Sequence, residues 1–192
     1  MLNEQEISEI IGRVRGRVEA VEGRTRTGPS LRAAAESAAL ASKLGDGIFS
    51  NIDEAIAAAR GAFLTYRDMG LEKRRVIVDA MRSAMLADGE RLAYLAREET
   101  GLGRAEDKVL KNRLVTVRTP GPEDLDPQAV TGDSGMMVTE FAPYGVIGSI
   151  SPTTNPTSTV INNAIAIISA GNAVTFNVHP SAKDVSVENI QV

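Results

Sequence analysis

Residues 145–180 read GVIGSISPTTNPTSTVINNAIAIISAGNAVTFNVHP, and this stretch decides the fold. Two short apolar runs rich in β-branched residues, Val146–Ile150 and Ala173–Asn177, flank a helix-length segment that stops at Gly171-Asn172. Runs of this kind are typical of parallel strands that are buried on both faces. The order predicts a strand, a crossover helix and a second, parallel strand, which together form one βαβ unit.

Each predicted strand ends in a polar turn. Residues 151–155 (SPTTN) follow the first strand, and residues 178–180 (VHP) follow the second. Ligands of open parallel sheets bind at the carboxyl ends of the strands. The crevice that the two turns share is therefore the predicted cofactor site.

At these residues the chain resembles the aldehyde dehydrogenase superfamily. It is most similar to the CoA-acylating branch, the propionaldehyde and acetaldehyde dehydrogenases associated with bacterial microcompartments. The resemblance runs from about Gly47 to the C-terminus and includes EETGLGRAEDKVLKN (98–112), FAPYGVIGSISPTTNPTSTVINNAI (141–165), Gly171-Asn172 and His179-Pro180. It implies an α/β fold in which N-terminal helices lead into the first βαβ unit of an aldehyde-dehydrogenase-type dinucleotide-binding domain, truncated here and spanning residues 47–192.

The resemblance also implies the ligands. NAD is the expected cofactor, coenzyme A the co-substrate and a small aldehyde the substrate. The family binds its dinucleotide without a G-x-G-x-x-G fingerprint, and this chain has none. The implied cofactor-binding residues are Ile150, Ser151, Pro152, Thr153, Asn177, His179 and Pro180.

The end of the second strand departs from typical aldehyde dehydrogenases, which place a lysine and then a glutamate on the adenosine ribose. Here Asn177 occupies the lysine position and Pro180 the glutamate position. This departure favours the CoA-acylating branch, whose members resemble x-Pro-His-Pro at this point, although Val178 breaks that pattern. His179 is the only histidine, and without a Cys/His cluster the sequence predicts no metal site.

Two neighbouring residues are candidates for catalysis. In the wider superfamily an asparagine two residues before a proline donates its amide to the developing oxyanion, and by register Thr154 occupies that position. Asn155 follows immediately before Pro156, so either the Thr154 hydroxyl or the Asn155 amide is the expected donor. Asparagine before proline is also a good helix cap, so capping is an equal alternative for Asn155.

The composition describes an ordinary globular chain with no basic bias. Of its 192 residues 43% are apolar and 24% charged, and the net charge is −4. We therefore expect neither a nucleic-acid nor a membrane partner. No apolar signal core or spanning segment is present in the sequence, which favours a cytoplasmic location.

The chain contains no cysteine. Aldehyde dehydrogenases of the resembled family attack the aldehyde with a cysteine thiolate, which is nucleophilic at neutral pH and leaves readily in acyl transfer. The family nucleophile lies far downstream of the second strand. We therefore expect this chain to be the N-terminal part of a longer enzyme and to be inactive alone.

Residues 1–22 predict an amphipathic helix. Its apolar positions recur every three or four residues, with acids and arginines on the other face; they are Ile7, Ile10, Ile11, Val14, Val18 and Val21. Residues 23–46 predict a linker around Gly28-Pro29. In the resembled branch such a helix is similar to an encapsulation peptide. We therefore expect residues 2–21 to dock on a microcompartment shell protein or, alternatively, to pack on their own subunit. The first alternative places the protein in the microcompartment lumen.

Residues 49–117 predict helices that form a core. The first carries Ile52, Ile56, Ala59, Phe63 and Tyr66 on one face, the second covers Leu71 to Leu86, and the third uses Leu92, Leu95 and Ala96. The charged groups Lys73-Arg74-Arg75 and Glu98-Glu99 are expected on a solvated face. Residues 101–104 (GLGR) predict a turn between helices rather than a phosphate loop, since no strand precedes them.

Residues 119–135 are rich in proline, glycine and aspartate and predict a surface excursion without a strand. Residues 136–141 alternate enough to form a strand. In the resembled family this strand belongs to a projecting arm that pairs subunits, which implies a homo-oligomer.

Three functions stay open on the sequence. The chain is part of an NAD-dependent CoA-acylating aldehyde dehydrogenase, part of a non-acylating one that makes the acid, or a non-catalytic targeting and assembly module. The His179-Pro180 turn and the missing Lys/Glu pair argue against the second.

Overall fold

The structure is a computed structural model, and it describes residues 47–192. The predicted targeting helix (1–22) and linker (23–46) lie outside the described residues. The helices are α1 (Ile52–Tyr66), α2 (Leu71–Thr100), α3 (Ala105–Arg118), α4 (Pro156–Ser169) and α5 (Lys183–Gln191). The strands are β1 (Gln128–Gly132), β2 (Gly135–Thr139), β3 (Val146–Ser151) and β4 (Ala173–Val178), and short 3-10 turns span Pro122–Leu125 and Pro180–Ala182.

The predicted βαβ unit is confirmed. Strands β3 and β4 pair in parallel, with Ile150 opposite Asn177 and Ser151 opposite Val178, and α4 is the crossover helix. The expectation that the first strand is buried on both faces is wrong. Ser151 is buried whereas its neighbour Ile150 is 82% exposed, because α4 covers the face to which the serine belongs.

The Gly-Asn stop after α4 forms a Schellman motif. The Gly171 amide donates to the Ile168 carbonyl (2.9 Å) and the Asn172 amide to the Ile167 carbonyl (3.1 Å), with Gly171 at a φ of +80°. The Asn172 side chain then accepts hydrogen bonds from two backbone amides, those of Tyr144 (2.6 Å) and Gly145 (2.9 Å). This buried asparagine therefore holds the beginning of β3 beside the beginning of β4.

The core lies where α2, α4 and α5 meet. Its fully or nearly fully buried apolar residues are Val78, Leu92, Ala96, Ile161, Ile165, Ala182 and Val185. Helix α2 runs unbroken through the point where the sequence predicted two helices. Its apolar stripe continues across Gly89, where an added Cβ would stand 3.7 Å from the Asn112 Cβ of α3, an ordinary van der Waals distance.

Helix α1 corrects a second prediction. It was expected to form core, yet none of its residues is fully buried, and Ile52 (59%) and Ile56 (42%) are exposed. The helix packs along β3 and β4, and its end is held where the Tyr66 hydroxyl donates to the Ile168 carbonyl (3.0 Å).

Two charged residues that were expected on a solvated face, Arg74 and Glu99, instead make structural contacts. Arg74 is buried, with its guanidinium 5.9 Å from the centre of the Tyr66 ring and donating to the Arg67 carbonyl (3.3 Å). The Glu99 carboxylate accepts from the backbone amides of Asp184 (3.0 Å) and Val185 (2.7 Å). Glu99 therefore caps the first turn of α5 from another helix.

Replacing Glu99 by Ala is expected to lower the free energy of unfolding by about 1 kcal/mol, the usual cost of removing a helix cap. Glu98→Ala is the matched control, because the neighbouring side chain is exposed. Urea denaturation of both variants measures the difference. Equal stabilities would contradict the capping role.

The excursion at residues 119–135 contains a strand that the sequence did not predict. Residues 128–132 pair antiparallel with 135–139 across an Asp133-Ser134 turn, and every residue of both strands is exposed. The pattern was missed because the strand follows a stretch dominated by proline and acidic residues. Among residues 47–192 no helix is both long and apolar enough to cross a membrane.

Candidate functional site

The two predicted ligand turns begin side by side. Ser151 and Val178 are register partners at the ends of β3 and β4, so residues 152–155 and 179–180 leave the sheet at the same edge. Pro152, Thr154, Asn177, His179 and Pro180 are exposed, and Thr153 and Asn155 are half-buried. The exposed face at Ile150 adjoins both turns, so an apolar surface and polar backbone meet at this edge.

Ser151 does not present its side chain to this edge. It is 2% exposed and lies on the same face of β3 as Ser149, whose hydroxyl accepts from the Asn163 amide of α4 (2.9 Å). The Ser151 hydroxyl has no hydrogen-bond partner among the described residues. A ligand at the strand end would therefore meet the main chain of Ser151.

Asn155 occupies the cap position of α4 without capping it. Pro156 is the first helical residue, as predicted, but the Asn155 side chain accepts no hydrogen bond from the helix amides. Its Oδ1 instead accepts from the Lys111 ammonium at 2.6 Å, and its Nδ2 lies 3.4 Å from Thr154 Oγ1. The capping alternative for Asn155 is therefore wrong, since its oxygen meets a cation on α3 and none of the helix amides.

Lys108 is a second cation at this turn that sequence reasoning missed. Its ammonium donates to the Thr154 carbonyl at 3.2 Å, and the residue is only 7% exposed. Burial lowers the pKa of Lys108, and repulsion from Lys111 and Arg97 lowers it further. The available signal was the three-residue spacing of the two lysines in EDKVLK (106–111), which places both on one side of a helix.

A buried amide holds α3 against the turn. Asn112 is 1% exposed; its Nδ2 donates to the Gly89 carbonyl (3.0 Å) and its Oδ1 accepts from the Thr157 hydroxyl (2.9 Å). The Asn189 amide donates to the Thr157 carbonyl (2.9 Å). This network joins four helices at the N-terminus of α4, so the two lysines project from a fixed platform.

His179 caps the short 3-10 turn that follows β4. Its Nδ1 accepts from the Ser181 amide at 3.1 Å, and the ring is exposed. An accepting Nδ1 places the proton of the neutral ring on Nε2. His179 lies at the sheet edge where the cofactor is predicted to bind, and its role in lining the cofactor stays a prediction.

The parallel strand-helix-strand unit, with polar turns at its carboxyl edge, defines an α/β protein with the strand arrangement of dinucleotide-binding sheets. Residues 34–189 match the profile of the aldehyde dehydrogenase family. The chain belongs to that family, which confirms the resemblance drawn from the sequence.

Known proteins resemble the chain over most of its length. It is 49% identical over 146 residues to a propanal dehydrogenase (CoA-propanoylating) from Citrobacter freundii, covering 76% of this chain and 32% of the relative. A propionaldehyde dehydrogenase from the Clostridium phytofermentans fucose utilisation bacterial microcompartment superposes with a TM-score of 0.72 at 42% identity, covering 76% of this chain and 33% of that one.

A third similar structure contains a bound nucleotide. It is an engineered glycolyl-CoA reductase with bound NADP+, with a TM-score of 0.73 and 41% identity, covering 77% of this chain and 34% of that one. The chain thus spans about a third of the length of the proteins it matches. These likenesses confirm the predicted fold class.

Proposed function

We propose that the chain is the N-terminal part of an NAD-dependent CoA-acylating aldehyde dehydrogenase that oxidises a short aldehyde to an acyl-CoA. The observation that carries the proposal is the 49% identity to a CoA-propanoylating propanal dehydrogenase across 146 residues. The missing Lys/Glu pair at Asn177 and Pro180 argues further against the acid-forming alternative.

In this proposal the crevice between the two turns holds the dinucleotide. Its exposed apolar Ile150 face and the adjoining polar turns fit a group with flat rings and polar riboses. NAD, when bound, accepts the hydride of the aldehyde carbon. The cofactor-binding residues are those expected from the sequence: Ile150, Ser151, Pro152, Thr153, Asn177, His179 and Pro180.

Thr154 and Asn155 serve the reacting carbonyl. Attack of a thiolate on the aldehyde carbon converts the carbonyl oxygen to an oxyanion, and a hydrogen-bond donor at that position lowers the barrier. The chain contains no cysteine, so the thiolate comes from another part of the enzyme. Coenzyme A then takes the acyl group from the enzyme thioester and restores the thiolate.

The partners follow from the same family. We propose a homo-oligomer in which the exposed β1–β2 arm contacts another subunit, because Val130 and Met136 are 61% and 70% exposed on it. Residues 2–21 are proposed to contact a microcompartment shell protein. The proposed location is the cytoplasm, inside the microcompartment lumen when the shell is present.

A chimera tests the proposed activity. We expect residues 47–192, substituted for the matching segment of the Citrobacter freundii propanal dehydrogenase, to give an enzyme that forms propanoyl-CoA from propanal. The readouts are NADH absorbance and chromatography of the acyl-CoA. The 192-residue chain alone is the control and should give no turnover, since it holds no cysteine.

Two results would contradict the proposal. One is a folded chimera that reduces no NAD although the parent enzyme does so under the same conditions. The other is a chimera that releases propanoic acid at the same rate with and without coenzyme A.

A further inference from the structure

The oxygen and the nitrogen of the Asn155 amide have different surroundings. Lys111 donates to the oxygen at 2.6 Å, which is a short, charge-assisted hydrogen bond. The nitrogen has Thr154 Oγ1 at 3.4 Å, which is longer than an ordinary hydrogen bond. The amide is therefore held at its acceptor end by an exposed lysine, and its donor end is only weakly used.

This arrangement suits a donor rather than a cap. A cap needs the amide oxygen at the helix amides, and here that oxygen meets the Lys111 ammonium and none of those amides. A cation on the oxygen also polarises the amide group and strengthens its N–H bonds as donors. Asn155 is half-buried and is the last residue of the turn that leaves the sheet beside the second ligand turn.

The charges around the turn favour a developing anion. The first-turn amides of α4 lack a side-chain cap, so the positive end of the helix dipole stays uncompensated. Lys108 lies against the Thr154 carbonyl, and Arg97 is close enough to Lys108 to repel its charge. An oxyanion beside Asn155 would therefore form in a region of positive potential.

We propose that Lys111 is a positioning residue: it holds the Asn155 amide as the oxyanion donor and keeps it from capping α4. This inference rests on the proposed function and refines it, since it assigns the donor to Asn155 rather than to Thr154. The Thr154 side chain is then an acceptor for Asn155, and its carbonyl is fixed by Lys108.

The orientation of the amide can be measured on the 192-residue chain without any activity. The side-chain amide signal of Asn155 is identified in a nitrogen–proton NMR spectrum as the one that disappears in Asn155→Ala. Lys111→Met is expected to shift this signal, and Lys111→Arg to leave it near its original position because the guanidinium still donates. An unchanged signal in Lys111→Met would overturn the inference.

The kinetic arm uses the chimera described above. Lys111→Met is expected to lower kcat about tenfold, as the loss of one hydrogen bond to a charged group implies, with little change in the KM for propanal. Lys111→Arg should recover most of the loss. Lys73→Met, at an exposed lysine of α2, is the control and should match the parent chimera.

A double variant separates positioning from a general effect of charge. If Lys111 acts through Asn155, Lys111→Met should cost nothing more in an Asn155→Ala background. An equal tenfold loss in both backgrounds, or parental kcat in Lys111→Met, would overturn the inference. Absence of activity in the unsubstituted chimera contradicts the proposed function instead, and the NMR arm then decides the inference by itself.

Discussion

Gly171→Ala is expected to lower the free energy of unfolding by about 3 kcal/mol, the sum of a left-handed backbone penalty and a lost buried hydrogen bond. Gly171 has a φ of +80°, where an L-residue with a Cβ is strained. An added Cβ would also stand 2.7 Å from the Arg74 guanidinium carbon. Arg74 must then move away from the Arg67 carbonyl, and the Schellman motif that begins β4 is disturbed.

Two further variants put this cost in context: one is a control at a helical glycine, and the other separates the clash from the backbone penalty. Gly61 lies in the middle of α1, and a Cβ added there would meet open space. Gly61→Ala should therefore raise the free energy of unfolding by about 0.5–1 kcal/mol. Arg74→Met in the Gly171→Ala background should remove the clash and leave the backbone penalty. Denaturation midpoints with m-values measure all three. A Gly171→Ala protein as stable as the parent would show that the turn relaxes freely.

Asn155→Ala in the chimera is expected to lower kcat by about 10²-fold, the usual loss when an oxyanion donor is removed. The melting temperature should change little, because the Asn155 side chain makes no hydrogen bond to the amides of α4. Steady-state kinetics with propanal and a thermal melt of the same sample measure both effects. A melting temperature reduced as if by loss of ~1 kcal/mol, with kcat intact, would restore the capping role.

Asn155→Asp is the informative companion to that variant. A carboxylate keeps the contact with Lys111 and favours the N-terminus of α4, so stability should be maintained or rise by about 0.3–1 kcal/mol. The carboxylate has no N–H to give, so kcat should fall as far as in Asn155→Ala. Retained activity in Asn155→Asp would point to the Thr154 hydroxyl as the donor.

Much of the fold could be predicted from the sequence because its signals are local. Short apolar runs on either side of a helix-length segment predicted β3, α4 and β4, and a Gly-Asn pair predicted the end of α4. The parallel pairing followed from the crossover, and with it the shared edge of the two ligand turns. The residues around that edge were proposed from the family resemblance, and their roles stay predictions.

Other features depended on contacts between residues far apart in the chain. Helix α2 passes unbroken through Gly89 because α3 packs there, and the charged Glu99 caps a helix that begins at Lys183. Neither a glycine nor a glutamate predicts such a partner from the residues next to it in the sequence. The strand β1 was missed for a related reason, since its pairing with β2 outweighs the turn-forming residues before it.

The sequence by itself determined the family, the βαβ unit and the shared edge of the two turns, because periodicity, glycine stops and family motifs are read along the chain. Only the tertiary structure decided how Asn155 is used. An asparagine before a proline is a cap by local rules, and the side chain of Lys111, 44 residues earlier, takes its oxygen instead. The exposed ammonium of Lys111, on a helix that the buried Asn112 holds in place, takes the position of the local cap, and sequence spacing alone does not disclose that contact.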